Sequence, residues 1–120
     1  MIPKRRKREP LGLRQAPQIR CPAHLAWVRG HECAIAGKHG ITGPHECAGS
    51  IEAAHVRTGT DGATSIKPSD IWAIPLCSSA HRLQHQLGES AFEQRFGIDM
   101  RRTAQILARL SPHRRKWETT

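Results

Sequence analysis

The chain has 120 residues, with 19 lysines and arginines, 10 aspartates and glutamates, and a formal net charge of +9. This length fits one domain and not two, and no run of about 18 apolar residues is present that could cross a bilayer. The positive charge favours a polyanionic partner, above all a nucleic acid, because each phosphate that a protein contacts releases a condensed counterion.

The N-terminus carries charge without the apolar run of a secretory signal. After the basic residues 4–8 come Glu9, Pro10, Arg14 and Gln15, where such a signal needs apolar side chains. We therefore expect an intracellular protein. In a reducing compartment, the four cysteines are expected to be metal ligands or buried thiols rather than disulfides.

The first half of the chain predicts one short helix between irregular segments. Residues 1–20 hold basic residues and prolines and little periodicity, which predicts a flexible basic arm that either follows phosphates or stays solvated. Pro22 suits the first turn of a helix that Gly30 would end. From Cys33 to Cys47 the chain is rich in glycine, which excludes a long element there.

The second half predicts a strand, a loop, a strand and helices. Residues 51–57 and 71–76 have strand composition, and the polar segment 58–69 joins them. A helix is predicted from Ser78 to Gly88, a shorter one over 90–96, and a last one capped by Asp99. The core-facing positions of this last helix are predicted to be Met100, Ala104, Leu107, Ala108 and Leu110. The sequence thus predicts an α+β domain over 21–112, followed by a basic tail at 113–120.

A pair of histidines lies at helical spacing in the predicted helix that begins at Ser78. His81 and His85 are four residues apart, so their imidazoles share one face and could hold one ion. Imidazole suits zinc and other transition metals better than magnesium. A hairpin of the two predicted strands would bring His55, on the first strand, opposite the start of this helix. The alternative is a set of solvated histidines.

Residues 22–110 resemble the compact HNH nucleases of phages and prophages, which are ββα-metal endonucleases. The resemblance implies a small ββα-metal unit with flanking helices and a disordered basic N-terminal arm. It rests on several segments at set spacings: Pro22-Ala23-His24-Leu25, Ala54-His55-Val56-Arg57, Lys67-Pro68-Ser69-Asp70, Ile74-Pro75-Leu76-Cys77, His81 with His85, and Phe96-Gly97-Ile98-Asp99.

The resemblance implies a metal-dependent endonuclease that hydrolyses DNA phosphodiester bonds in the cytoplasm of a bacterial or phage-infected cell. His55 would be the general base, since a neutral imidazole with a pKa near ~6.5 suits that role. His81 and His85 would hold one divalent cation, which could be Mg, Mn, Ni or Zn. Asp70 would either orient His55 or complete the metal shell. The candidate phosphate contacts are Arg57, Lys67 and Arg82.

The chain departs from the family pattern at three positions. The first residue of the usual ligand pair is Ala54, and the Asn position is Trp72. Relatives often hold a structural zinc ion, for which Cys33, Cys47 and Cys77 are candidates, but the usual fourth ligand position is Ala80. The residues that could replace it are Cys21, His31, His39 and His45, and otherwise the cysteines are buried hydrophobic residues.

Two other functions are compatible with the sequence. One is a non-catalytic zinc-binding module that binds DNA, and the other is a phage accessory protein that binds a host recombination or replication protein. For the remaining side chains we expect the core to include the aromatic residues Trp27, Trp72, Phe92 and Phe96. We expect the surface to hold the histidines at 24, 31, 39, 45 and 113.

Overall fold

The structure, a computed structural model, describes residues 18–40, 43–62 and 66–118, so most of the predicted basic arm lies outside the described residues. A two-stranded antiparallel sheet and four α-helices make up the regular structure of this part, and the predicted α+β class is confirmed. None of these helices combines the length and apolar content that crossing a membrane requires. The elements are α1 (Pro22–Arg29), β1 (Ile51–His55), β2 (Ala73–Cys77), α2 (Ser78–Leu87), α3 (Glu89–Phe96) and α4 (Met100–Leu110), with one-turn 3-10 helices at Asp70–Trp72 and Arg114–Lys116.

The helix boundaries follow the sequence signals closely. Pro22 lies in the first turn of α1, where a missing N–H costs nothing, and Gly30 ends that helix. Gly97 ends α3 in the left-handed conformation, with φ 66°, which glycine adopts without steric cost. Asp99 caps α4, because its side chain accepts a hydrogen bond of 2.9 Å from the backbone N–H of Arg102. These predicted boundaries are confirmed.

The second predicted strand starts later than expected. Residues 70–72 form a 3-10 turn, closed by a hydrogen bond of 3.0 Å from the Trp72 amide to the Ser69 carbonyl, and β2 begins at Ala73. The strand prediction from residue 71 was therefore wrong, because the apolar pair Ile71-Trp72 suits a strand and a buried turn equally well. β1 also ends at His55 rather than at 57, with Ile51 opposite Cys77 and His55 opposite Ala73.

The core lies between the sheet and the helices that cover it. All five residues of β2 are buried, and Ile35, in the loop after α1, is fully buried against them. Phe92 and Phe96 are buried as predicted. The main buried apolar side chains are Val28, Ile35, Val56, Ile74, Leu76, Phe92 and Met100.

The core-facing side of α4 was predicted with one error. Met100, Ala104 and Leu107 are buried, but Leu110 is 66% exposed. It shares its face with Ile106, four residues earlier, which is also exposed. The last turn of α4 therefore extends past the core. The apolar spacing of the helix continues to its end, but no part of the described core lies against its last residues.

His24 is the clearest error among the predicted surface residues, because its side chain is fully buried. Its Nδ1 lies 2.9 Å from the hydroxyl of Ser111, and its ring stacks on Trp27 and meets the edge of Trp117. Its Nε2 has no hydrogen-bond partner among the described residues. Burial first, and then the charge of His113, lower the pKa of His24 below its usual value.

We expect the domain to lose stability as the pH falls below about 6.5, because His24 is held neutral when folded and takes up a proton when unfolded. The stabilisation is complete above the unfolded pKa and is lost toward the lower folded pKa, at up to about 1.4 kcal/mol per pH unit. Urea unfolding at pH 7.5, 6.5 and 5.5 measures this slope. The variant His24→Gln cannot titrate there and should show a shallower slope, whereas a slope equal to that of wild type would contradict the assignment.

Candidate active site and metal centre

One cleft collects side chains from the end of β1, the end of α2 and the start of α3. It has a volume of about 320 Å³, and His55 and His85 both line it. Its wall is fixed by Glu89, whose carboxylate accepts hydrogen bonds of 2.7 and 2.8 Å from the backbone amides of Arg57 and Thr58. These bonds attach the first turn of α3 to the segment that follows β1. The cleft thus joins a histidine of the strand to a histidine of the helix.

His55 is held by the buried carboxylate of Asp70. The Nε2 of His55 lies 2.9 Å from Oδ1 of Asp70, whose other oxygen accepts a hydrogen bond of 2.7 Å from the backbone amide of Cys21. Because the carboxylate accepts the Nε2 proton, Nδ1 carries the lone pair of a neutral imidazole. Asp70 is 2% exposed, so its carboxylate is shielded from water. It could orient a general base.

The electrostatics of the pair favour a neutral histidine beside an ionised carboxylate. Burial lowers the pKa of His55 below its usual value, although the hydrogen bond to Asp70 acts in the opposite direction. Burial alone would raise the pKa of Asp70, but the hydrogen bonds from His55 and the Cys21 amide hold that pKa below its usual value. His55 is therefore free to accept a proton at neutral pH.

The segment before α1 braces the turn that carries Asp70. The amide of Ile19 donates to the Ser69 hydroxyl at 2.8 Å, and the amide of Asp70 donates to the Ile19 carbonyl at 2.8 Å. The guanidinium of Arg20 donates to the carbonyls of Pro68 and Lys67 and lies 3.8 Å from Asp70 Oδ1. Residues 19 and 20 thus pack against the turn that carries Asp70.

His81 and His85 meet on one face of α2. Their Nε2 atoms are 3.3 Å apart. The Nδ1 of His81 lies 2.7 Å from Oε1 of Glu52 on β1, and the hydroxyl of Ser78 donates to the other oxygen of Glu52 at 2.9 Å. These two hydrogen bonds, from His81 first, lower the pKa of Glu52. The carboxylate that accompanies the histidine pair is therefore Glu52.

Asp70, predicted as a base-orienting residue or a metal ligand, lies with His55 and not with the histidine pair. Its oxygens are engaged by His55 and by the Cys21 amide. The Nε2 atoms of His81 and His85 lie 3.3 Å apart, and the carboxylate beside them is that of Glu52. Orientation of His55 is the role that this geometry favours.

A second cluster brings together Cys33, His45, Cys47 and Cys77. One ligand atom of each residue lies within 4.8 Å of the others, and in the described parts of the chain no other set of three or more possible ligands is this close. All three cysteines carry free thiols. Three sulfurs and one imidazole form a donor set of the kind that structural zinc sites use. The group is therefore close enough to bind a metal ion and is compatible with zinc.

The loop after α1 folds so that both of its ends reach this cluster. Ile35 anchors it in the core, and the Ala34 amide donates to the Pro75 carbonyl of β2 at 2.8 Å. The chain then reverses, with an isolated bridge between His39 and Pro44 and a hydrogen bond of 2.7 Å from the His45 amide to the Lys38 carbonyl. This reversal brings position 45, and with it position 47, back toward Cys33.

Hydrogen bonds to the Cys77 sulfur favour its thiolate form. Cys77 caps α2, where its Sγ accepts from the Ala80 amide at 3.4 Å, and it lies 3.3 Å from Nε2 of His45. Burial alone would raise its pKa, but the hydrogen bonds from Ser79, His45 and the backbone lower the pKa of Cys77 to about 5. Cys47 is exposed, but partial desolvation and the neighbouring sulfurs of Cys33 and Cys77 raise its pKa to about 12. The raised pKa means that a Cys47 thiolate is unfavourable beside the other sulfurs. A bound cation would offset this repulsion by stabilising several thiolates together.

The fourth member of the cluster was left open by the sequence. Four residues were candidates for the fourth ligand, and the structure brings one of these, His45, to the three cysteines. Cys21 instead lies near Asp70, through its backbone amide. Ala80, at the usual ligand position, is fully buried and contributes its amide to Cys77. His45 was also expected at the surface, and it is only partly exposed because its ring packs edge-on against Phe96.

The predicted phosphate contacts are distributed around the histidines. Arg57 lines the cleft, Lys67 is close enough to His55 to lower the pKa of that residue, and Arg82 is close enough to Glu52 to lower its pKa. Glu52, which contacts His81, was not among the residues predicted from the sequence.

Comparison with known proteins identifies a family. A search of curated proteins and a search of solved structures each found no match. Residues 14–111, which include the cleft and the cysteine cluster, match a family described as "Protein of unknown function (DUF968)". Because this match covers most of the chain, the protein belongs to the DUF968 family.

Proposed function

We propose that this protein is a metal-dependent endonuclease of the HNH type that hydrolyses DNA phosphodiester bonds. The observation that carries the proposal is that His55 from β1 and His85 from α2 line one cleft. His81 adds its Nε2 at 3.3 Å from that of His85. The succession of β1, β2 and α2 is the strand, strand and helix order of the resembled nucleases.

His55 acts as the general base in this proposal. Held through Nε2 by Asp70, it presents Nδ1 to a water molecule in the cleft. The water oxygen forms a new bond to phosphorus, the bond from phosphorus to O3′ breaks, and the water proton passes to Nδ1. The lowered pKa of His55 keeps the ring ready to accept that proton at neutral pH.

His81 and His85 would hold one divalent cation with Nε2. That cation would stabilise negative charge on the scissile phosphate and on the leaving oxygen. Two nitrogen ligands about 2.0–2.1 Å from a tetrahedral ion are roughly 3.4 Å apart, close to the separation in this chain. The donor set of two imidazoles fits Ni or Zn better than it fits Mg.

DNA is the proposed substrate because basic side chains surround the cleft. Arg57 lines the cleft, Lys67 lies near His55, and Arg82 lies near Glu52. The net charge of +9 adds long-range attraction to phosphates. A domain of this size offers little surface for reading bases, so we expect cleavage with little sequence preference.

The cysteine cluster has a supporting role in this proposal. A zinc ion held by Cys33, His45, Cys47 and Cys77 would tie the loop after α1 to the junction of β2 and α2. Because this junction is where α2 begins, the ion would help to fix the position of the helix that carries His81 and His85. We therefore propose one structural zinc ion and one catalytic cation.

Plasmid cleavage tests the proposal. Supercoiled plasmid incubated with the protein and Mg, Mn, Ni or Zn, each supplied separately, should become relaxed and then linear with at least one of them. Addition of EDTA should prevent it.

A non-catalytic zinc-binding module that binds DNA is the second candidate. It is favoured by the cysteine cluster, which brings together four possible metal ligands, whereas the histidine pair supplies two. Plasmid that is retarded on a gel but stays intact with every metal would support this module and contradict the nuclease.

A further inference from the structure

The first strand offers the histidine pair a carboxylate at an unexpected position. Ala54 occupies the place where the resembled nucleases carry a metal ligand, and it is fully buried. Side chains two residues apart on a strand point to the same face, so Glu52 shares the face of Ala54. Glu52, whose side chain is 44% exposed, reaches His81 from there.

We infer that Glu52 is a positioning residue that fixes His81 as a metal ligand through Nε2. This inference rests on the proposed function, because it concerns the cation that His81 and His85 would share. It assigns to β1 a second contribution to the site beside His55. Glu52 acts through His81 and does not itself touch the ion.

Both oxygens of Glu52 are already engaged by groups of α2. Oε1 lies 2.7 Å from Nδ1 of His81, and Oε2 accepts from the Ser78 hydroxyl at 2.9 Å. The start of α2 is itself pinned to the segment before β1, since the Ser78 amide donates to the Ser50 carbonyl at 2.9 Å. Strand and helix thus hold the carboxylate in one orientation against the imidazole.

The orientation decides which nitrogen of His81 is available. A carboxylate can only accept, so Nδ1 must carry the proton and Nε2 must carry the lone pair. That lone pair faces Nε2 of His85 at 3.3 Å, a gap that a single proton or a cation can bridge. Histidines that bind metals commonly donate their other N–H to a carboxylate, which sets the tautomer and raises ligand basicity.

The tautomer of His81 tests this inference without any activity measurement. Nitrogen-15 NMR of protein that holds zinc only at the cysteine cluster, with the histidine pair free of metal, should show His81 as the Nδ1–H tautomer in wild type. In Glu52→Ala the ring should shift toward Nε2–H, and Glu52→Gln, which keeps an acceptor oxygen, should restore Nδ1–H. The control Glu118→Gln changes an exposed acid that pairs with Arg114 and should leave His81 unchanged. An Nε2–H tautomer in wild type, or no change in Glu52→Ala, would overturn the inference.

Titration with Co²⁺ separates this inference from the proposed function. Wild type should bind one ion that is lost in His85→Ala, and Glu52→Ala should bind it about 10–100-fold more weakly. If wild type binds no ion that depends on His85, the proposed function fails, whatever the tautomer of His81. If wild type and Glu52→Ala bind Co²⁺ equally tightly, the positioning role fails and the proposed function stands. Thermal melting of Glu52→Ala checks that the variant is folded.

Discussion

Replacing His55 with alanine is expected to slow metal-dependent plasmid cleavage by about 10²–10⁴-fold, the range that a general base contributes. DNA affinity should be retained, because the basic residues around the cleft are unchanged. The fold should also persist, since the variant removes a partly exposed ring at the end of β1. Cleavage rates under single-turnover conditions and retardation on a gel measure the two quantities separately.

The matched control is another histidine that lies outside the cleft. His39→Ala removes an exposed imidazole from the loop between α1 and β1, and it should cleave at the wild-type rate. If His55→Ala cleaves plasmid as fast as wild type in the same metal buffer, His55 is not the base.

The variant Asp70→Asn distinguishes a base from a merely structural histidine. Asparagine keeps an acceptor oxygen for Nε2 of His55 but loses the negative charge, so we expect a smaller loss of rate than in His55→Ala. Because the charge of Asp70 raises the pKa of His55, its removal should shift the acidic limb of the pH–rate profile to lower pH. An unshifted limb would show that another group titrates.

Loss of one cysteine ligand is expected to destabilise the whole domain. Free zinc a thousandfold above its Kd stabilises a folded protein by about 4.1 kcal/mol. Cys47→Ser, which changes the exposed member of the cluster, should lose most of this stabilisation together with the bound zinc. Zinc content by mass spectrometry and thermal unfolding with and without EDTA measure the effect, and EDTA should lower the melting temperature of wild type but not of the variant.

Cys21→Ala is the control for the zinc prediction. Cys21 is buried like Cys33 and Cys77 but lies outside the cluster, and its role in the site runs through its backbone amide. We expect this variant to keep one zinc ion and the response to EDTA. Zinc-free wild type that melts at the temperature of zinc-loaded protein would contradict a structural role for the metal.

The helices could be predicted from the sequence because their ends carry local signals. Gly30, Gly88 and Gly97 end helices, and Asp99 caps one, each through backbone conformations or hydrogen bonds within a few residues. The turn at 70–72 lacked such a signal. It depends on hydrogen bonds between residue 70 and residues 19 and 21, which are remote in sequence.

In the candidate site, too, the features set by local sequence could be predicted, and those set by remote contacts could not. The spacing of His81 and His85 places them on one face of a helix, which local geometry alone decides. The contacts from Glu52 to His81 and from Asp70 to His55 depend on strand register and on a long loop. For Glu52 alone the sequence held a clue to this contact. Glu52 lies two residues before Ala54, the usual metal-ligand position, and side chains two apart on a strand share one face.

His45 and His24 show why single histidines are hard to assign. The loop that brings His45 to Cys33 contains several glycines, so its path follows from the bridge at His39 and Pro44 and not from any periodicity. His24 is buried because Trp117, near the C-terminus, covers it. In both cases the partner that decides the environment lies outside the local sequence.

The most direct test of a cation held by His81 and His85 beside His55 is an anomalous difference map from crystals grown with Mn²⁺ or Ni²⁺ and a short DNA duplex. We predict a peak within metal–ligand distance of Nε2 of both His81 and His85, with a DNA phosphate between that peak and the ring of His55. Bound DNA with no peak at the histidine pair, or with its phosphates far from His55, would contradict it.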